Sequence, residues 1–439
     1  MQTLNPPIAK KGKRSVGKQW KTVILASLGG ALEIYDFIIY GIFAKEIASQ
    51  FFPSADPLVS LISAFGVFAI GYLSRPLGGI LLGSLGDRYG RRAIFIVSIL
   101  AMSTSTMCIG LLPSYATIGI LAPLMLMIFR LVQGFFLGGE VACSITYVVE
   151  EVPERASILT GLVIFCLTSG VLVAAMISLG IHTFLQPANI SAFGWRIAFV
   201  LGGLLGFLSY FLRQSLEESA EYKSIKGSIT RQPFREVLKH YPKHVLAGVG
   251  ITSIANASNT ILFVVLPSYL TGVLGYRGDT VSVGQNIGIA CMALSLIIFA
   301  WLGQTMRPAI IHRIGTLAMC VISYPLYLKL VGHEINLALA FALVGAVAGT
   351  FNGTYAYLVA DLFPTKVRFS GVALSLNLSN IAFAGITPLL ITNVIKLTNN
   401  TATPGLYMAA VAAISVALGL ALRGCGGNVP QRKSEVARV

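Results

Sequence analysis

Charged side chains are scarce in this 439-residue sequence: Asp, Glu, Lys and Arg together make up 11%, against about 25% in soluble domains. That leaves too little polar chemistry for a water-facing surface, and a mean hydropathy of +0.78 points the same way. The six cysteines supply no framework, because Cys108, Cys143, Cys166, Cys291 and Cys320 fall inside apolar runs, Cys425 follows the last run, and no pair has metal-ligand spacing. His182, His240, His244, His312 and His333 all sit at run ends or in loops, so the residue that most readily titrates near neutral pH is missing from the run interiors. No Ser-His-Asp, metal or nucleotide constellation stands out. An enzyme, a cofactor and a metal are therefore not expected, and neither a disordered scaffold nor a disulfide-stapled secreted protein fits.

What is abundant is apolar length. Apolar residues form 55% of the chain, with 45 glycines beside them, and glycine is favoured where membrane helices pack closely. A spanning helix needs about 20 apolar residues, and such runs predict an all-α membrane protein with twelve transmembrane helices. They are Thr22–Ala44, Val59–Leu82, Ala93–Leu112, Ile118–Cys143, Ser157–Ile181 and Trp195–Leu212, then Val245–Leu270, Val281–Leu302, Ala309–Leu328, Asn336–Ala360, Ser370–Val394 and Leu406–Leu422.

The 32 Lys and Arg set the expected orientation. With the N-terminus inside, 25 face the cytoplasm, among them Lys10, Lys11, Lys13, Arg14, Lys18 and Lys21 before the first run. Five face outward (Lys45, Arg196, Arg277, Lys329, Lys396), and Arg75 and Arg130 lie within runs. This is the positive-inside asymmetry. Both termini are then cytoplasmic, and the net charge of +15 calls for no nucleic-acid partner. The basic N-terminus leads straight into a full-length run, so a cleavable signal peptide is not expected.

The longest polar interval, residues 213–244, divides the runs six and six. It is read as a cytoplasmic linker between a bundle at 22–212 and another at 245–422, flanked by a basic N-terminus (1–21) and a tail (423–439). The two parts echo each other: Pro153 and Pro364 lie 211 residues apart, and Gly161 and Gly371 lie 210 apart, each proline flanked by an acid and a base. Two pseudo-symmetric bundles with a midplane site between them are the expected architecture.

Gly83-Ser-Leu-Gly86-Asp87-Arg88-Tyr89-Gly90-Arg91-Arg92 resembles the G-x-L-x-D-R-x-G-R-R signature of the major facilitator superfamily. Leu32-Glu33-Ile34-Tyr35-Asp36-Phe37 is similar to the L-E-W-Y-D-F of its metabolite:proton symporter family, which carries osmolytes, dicarboxylates, citrate and shikimate. Arg75-Pro76-Leu77-Gly78-Gly79, Arg130-Leu131-Val132-Gln133-Gly134-Phe135, Gly138-Gly139-Glu140, Trp195-Arg196-Ile197 and the Asp361-Leu362-Phe363-Pro364 exit extend the likeness. The second half departs from it: Trp301-Leu302-Gly303-Gln304-Thr305-Met306-Arg307-Pro308 stands where the signature would repeat.

Ionisable groups at membrane depth are functional candidates by default. Glu33, Asp36 and Glu140 are the acids well inside runs, and Arg75 and Arg130 the bases. The resemblance pairs Asp36 with Arg130. Desolvation favours a neutral carboxyl and a nearby guanidinium the charged one, so separating and closing that pair would load and release a proton. Proton coupling is thus assigned to Asp36, Glu33, Arg130 and Glu140, the alternative being a static buried pair that fixes packing. Substrate contacts are expected from Arg75, Arg130, Gln133 and Tyr35, and from neutral groups of the second half: Asn256, Asn259, Gln285, Asn352, Tyr355, Asn377 and Asn380. Gating falls to Asp87, Arg88, Arg91, Arg92, Glu150, Glu151, Arg155, Asp361 and Arg368, with Asp87 against a helix N-terminus and Arg91 against Glu150 or Glu151.

The expected function is proton-coupled import of a small organic anion or zwitterion by a monomeric, multi-pass carrier of the bacterial inner membrane. Its partners are the substrate, protons and the lipid bilayer. The alternatives are an uncoupled facilitator, a proton-antiporting exporter, and a membrane ligand sensor, against which the short tails argue.

Overall fold

The computed structural model describes residues 31, 34–89, 91–214, 233–365 and 367–429. Outside turns and short connections these are helical. Helix α1 covers 34–42 and, past a turn at Phe43, continues as Ala44–Phe51; α2 is Pro57–Tyr89, α3 Arg91–Leu111, α5 Ala156–Phe184 and α6 Trp195–Gln214. Helix α4 comes in two pieces, Leu121–Leu137 and Glu140–Glu151. After a short helix at Pro233–His240, α7 runs from Pro242–Thr260 through a wide turn into Leu266–Gly272, and α8 is Gly278–Leu302. Then follow α9 (Pro308–Val331), α10 (Leu337–Asn352 and Tyr355–Asp361), α11 (Arg368–Asn380, a wide turn, Ile386–Thr398) and α12 (Thr403–Ala421).

Ten helical stretches among the described residues are long and apolar enough to cross a membrane. The other two runs of the sequence reading differ for separate reasons. About half of the first lies outside the described residues, and of α3 only Ile96–Leu111 forms an apolar helical stretch among them. Several helices outrun their apolar stretches. Helix α2 continues past Leu82 to Tyr89, and α4 past Cys143 to Glu151. Apolar composition marks the lipid slab, whereas a helix ends where its hydrogen bonding stops, for α4 just before Pro153.

Small residues bring the helices together. A Cβ on Gly134 of α4 would lie 1.7 Å from the Gly71 carbonyl of α2, and one on Gly138 would lie 1.9 Å from the Arg75 carbonyl. The second half repeats this on α8 and α10, where a Cβ on Gly345 would lie 2.1 Å from the Gly288 carbonyl. With no hydrophobic drive between helices in lipid, such backbone approach supplies dispersion and polar contact. The interruption of α4 at Gly138-Gly139 likewise has a counterpart in α10 at Gly353-Thr354.

Helices of the first half meet helices of the second by direct hydrogen bonds. Ser157 Oγ on α5 donates to the Ala300 carbonyl of α8 (3.2 Å), and Ser268 Oγ on α7 to the Gly41 carbonyl of α1 (3.2 Å). Helices α3, α6, α9 and α12 instead expose large apolar side chains, such as Val97, Leu111, Leu204, Phe211, Ile314, Val321, Leu406 and Ile414, as surfaces that face acyl chains do.

The glycine contacts predict unequal tolerance. Gly134→Leu is expected to abolish the monodisperse fraction of detergent-extracted protein, because overpacking costs about 1–3 kcal/mol even where side chains give way and here the obstacle is backbone. Gly180→Leu, with open space around its Cβ, should leave that fraction unchanged. Equal tolerance at both positions would contradict the packing described.

Candidate functional site

A cavity of about 130 Å³ lies between the halves, well below the roughly 300–1,000 Å³ of sites for drug-sized ligands. From the first half it takes Ile34, Phe37 and Ile38 of α1, Tyr72 and Arg75 of α2, and Thr168 of α5. The second half faces them with Asn256, Asn259, Phe263, Tyr355, Asn377 and Asn380.

Arg75 is the charged group on this wall. Its guanidinium carbon lies 3.9 Å from the centroid of Tyr72 and 4.3 Å from that of Phe37, two rings that pack edge to face at 5.1 Å. A desolvated cation over an aromatic face is stabilised by about 2 kcal/mol or more, which lets a buried guanidinium stand beside a cavity. Three of the asparagines opposite are tied to another asparagine, a serine or backbone. Asn259 Nδ2 donates to Asn352 Oδ1 (3.0 Å), Asn256 Nδ2 to Ser379 Oγ (3.0 Å), and Asn377 Nδ2 to the Gly138 carbonyl (2.7 Å). The last bond uses a carbonyl at the break in α4, where the helix no longer consumes its own acceptors.

Asp36 turns away from the cavity. Ile34, Phe37 and Ile38 share one face of α1 at i, i+3, i+4 spacing, which rotates Tyr35 and Asp36 into the first-half core. Tyr35 donates to the Ala198 carbonyl of α6 (2.7 Å). Asp36 Oδ2 accepts from Thr106 Oγ1 of α3 (2.5 Å), which accepts from Gln133 Nε2 of α4 (2.7 Å). Arg130 lies close by, but its Nη2 reaches the Asp36 backbone carbonyl (3.5 Å) rather than the carboxylate, and its guanidinium caps the Tyr40 ring at 4.0 Å. The expected partnership of Asp36 and Arg130 is therefore one of adjacency, with the cation held by backbone and ring.

Of the substrate contacts read from sequence, Arg75, Asn256, Asn259, Tyr355, Asn377 and Asn380 line the cavity. Tyr35, Arg130, Gln133, Gln285 and Asn352 do not line it: all five are buried, and Gln285 Nε2 donates to the Phe263 carbonyl (3.3 Å). Glu140 is buried at the start of the second piece of α4, and Glu33 lies outside the described residues. Sequence reasoning missed Phe37, Tyr72 and Thr106. Tyr72 had a usable signal, since it precedes Arg75 by three residues and so shares its helix face.

Both ends of the interface carry an ion pair between the halves. Arg368 Nη1 contacts Glu150 Oε1 at 3.3 Å, joining two residues assigned to gating. The same arginine donates through Nε to the Ala360 and Phe363 carbonyls and through Nη2 to that of Asn428 (3.4 Å). Asp361 holds the segment after α12: its Oδ2 accepts from the Gly427 amide (2.8 Å) and its Oδ1 from the Val429 amide (2.7 Å). Arg155 is exposed, and the side chains of Asp87, Arg88, Arg91, Arg92 and Glu151 lie outside the described residues. At the opposite end Lys396 Nζ pairs with Asp56 Oδ2 at 3.0 Å. The lysine's hydrogen bond holds the Asp56 carboxyl below its usual range, so this bridge is complete at neutral pH and is lost only as the pH falls below the ordinary carboxylate range.

The docking by Asp361 predicts a local effect. Asp361→Ala removes two charge-assisted bonds, each of about 1.5–3 kcal/mol, and should speed hydrogen exchange at the Gly427 and Val429 amides by roughly tenfold or more. Unchanged protection would mean that those amides are held otherwise.

The Major Facilitator Superfamily profile matches residues 26–387. A proline/betaine transporter of Escherichia coli (strain K12) is 33% identical over 425 residues, covering 93% of this chain and 84% of that protein. A glycine betaine/proline/ectoine/pipecolic acid transporter of Dickeya dadantii is 32% identical with the same coverage. Among solved structures, a partially occluded inward-open xylose transporter XylE from E. coli superposes with a TM-score of 0.74 at 15% identity, over 92% of this chain and 97% of that one. A D-xylose-proton symporter gives 0.72 at 17% identity, over 94% and 98%. At such identities the structures speak for the fold alone, while the profile and the sequence relatives establish descent. The chain is a multi-pass membrane protein that belongs to the Major Facilitator Superfamily.

Proposed function

We propose that this protein is a proton-coupled symporter that imports a small zwitterion of the proline or betaine kind. In this reading twelve helices form two six-helix halves, at 22–212 and 245–422, which rock about the central cavity. Both termini and the Glu150–Arg368 end face the cytoplasm of a bacterial cell, and the Asp56–Lys396 end faces outward. The observation that carries the proposal is Arg75, stacked on Phe37 and Tyr72 at the wall of a small cavity opposite neutral asparagines.

The chemistry fits a zwitterion at both poles. A carboxylate draws the guanidinium into bidentate hydrogen bonds. A substituted ammonium suits the aromatic faces of Phe37, Tyr72, Phe263 or Tyr355, and the asparagines add hydrogen bonds without repelling either charge. A di- or tricarboxylate would leave carboxylates facing apolar wall. The names of the sequence relatives point to the same class.

Helix α1 supplies the coupling. It carries Phe37 on the cavity side and Asp36 on the core side, so a change of charge at Asp36 alters how α1 packs on α3 and α4, and with that the position of the Phe37 ring.

Uptake into proteoliposomes tests the proposal. Proline and glycine betaine should accumulate under an inward proton gradient, while citrate, dicarboxylates and shikimate should not. Arg75→Lys keeps the charge but loses the planar stack and the fork, and should raise KM about tenfold or more. Equilibration that ignores the gradient, or preference for a dicarboxylate, would overturn the assignment.

A further inference from the structure

We propose that Thr106 is a positioning residue for the proton-binding carboxylate, serving Asp36 in both of its protonation states by reversing one hydrogen bond. The inference rests on the reading of Asp36 as the coupling site. Its own basis is the surroundings of a single hydroxyl.

Thr106 Oγ1 lies 2.5 Å from Asp36 Oδ2, 3.0 Å from the Met102 carbonyl and 2.7 Å from Gln133 Nε2. A hydroxyl has one hydrogen and two lone pairs. Gln133 Nε2 can only donate, so it fills one lone pair in every state. The hydrogen can go to Asp36 or to Met102, but not to both. When Asp36 is ionised, the hydrogen points at Oδ2. When Asp36 takes a proton on Oδ2, that proton donates to the second lone pair of Thr106, and the hydroxyl hydrogen swings to the Met102 carbonyl. Asp36 gains one proton and Thr106 exchanges none.

The remaining surroundings of Asp36 cannot do this. Asp36 Oδ1 has no hydrogen-bond partner among the described residues. It faces Gly202 of α6, where an added Cβ would come within 3.0 Å. The charged and titratable groups nearby are Tyr35 and Tyr40 of α1 and Arg130 of α4, with Tyr72 and Arg75 of α2 acting on Arg130. Both nearer tyrosines spend their hydrogens on backbone, at Ala198 and Ala64, and Arg130 can only donate. At membrane depth a donor or acceptor left over in one state is costly, and the threonine leaves Oδ2 satisfied in both.

The test must separate this from a threonine that merely bonds back along its helix. Thr106→Val removes the hydroxyl at nearly constant volume, Thr106→Ser keeps it, and Thr106→Ala is a second deletion should valine misfold. Gradient-driven uptake is measured against external pH, with substrate counterflow as a readout that needs no proton step. The deletion should shift the pH profile by about one unit towards higher pH, because a charged acceptor loses more than a neutral one. It should cut accumulation about tenfold, leave counterflow within about twofold, and be reversed in Thr106→Ser. A deletion variant with an unshifted profile and full accumulation overturns the proposal, as does a shift that serine fails to reverse. Asp36→Asn is run alongside. If it still concentrates substrate, the coupling assignment itself has failed; if it does not while Thr106→Val behaves as wild type, the role of Thr106 alone has.

Discussion

At membrane depth there is no water to satisfy a polar group, so each must find its partner inside the protein. Several polar groups among the described residues are arranged around that constraint, although Asp36 Oδ1 has no hydrogen-bond partner there. Arg130 rests on a backbone carbonyl and the Tyr40 ring, Gln133 and Thr106 close a chain onto Asp36, and Asn259 and Asn352 satisfy each other. Asn377 takes up a carbonyl at the break in α4. Beside the cavity stand a guanidinium packed on two rings and the asparagines Asn256, Asn259, Asn377 and Asn380.

The same constraint sets the Asp36 carboxylate apart from the central cavity. Residues 36 and 37 are neighbours in sequence, yet a helix turns about 100° between them, so the carboxylate lies in the first-half core and the ring faces the cavity. In the proposed mechanism a proton and a solute bind on opposite faces of α1, and the helix between them carries their coupling. The closures at the two ends suit a carrier whose states lie close in energy. The Asp56–Lys396 pair is substantially exposed, its side chains 43% and 38% accessible, and exposed pairs contribute little to stability. The Glu150–Arg368 pair has a buried arginine that also binds three backbone carbonyls of its own half, so those bonds position the guanidinium for Glu150 rather than tie the halves together.

The sequence made the membrane class legible because lipid sets a length that no soluble core requires, and the scarcity of charge left the few buried ionisable residues in plain view. The motifs around Asp36 and Arg130 mark both residues; in the structure they are neighbours, with the guanidinium at the Asp36 backbone carbonyl rather than at its carboxylate. What could not be read was direction. Tyr35, Gln133, Gln285 and Asn352 look like cavity residues in a linear string, yet each points at a neighbouring helix, and that depends on crossing geometry set by contacts such as Gly134 on Gly71. Phe37 and Tyr72 look like ordinary packing in an apolar run and become a guanidinium clamp only when α1 and α2 are side by side. Thr106 sits in Ser103-Thr104-Ser105-Thr106, where nothing marks one hydroxyl out from the rest.

The central claim is that protonation of Asp36 drives accumulation while the solute site itself stands apart from it. Comparing Asp36→Asn with wild type for both gradient-driven uptake and substrate exchange in the same proteoliposomes tests it most directly. The account predicts that the variant exchanges proline or betaine at close to the wild-type rate and no longer concentrates it. A variant that still concentrates its substrate under the proton gradient would contradict it.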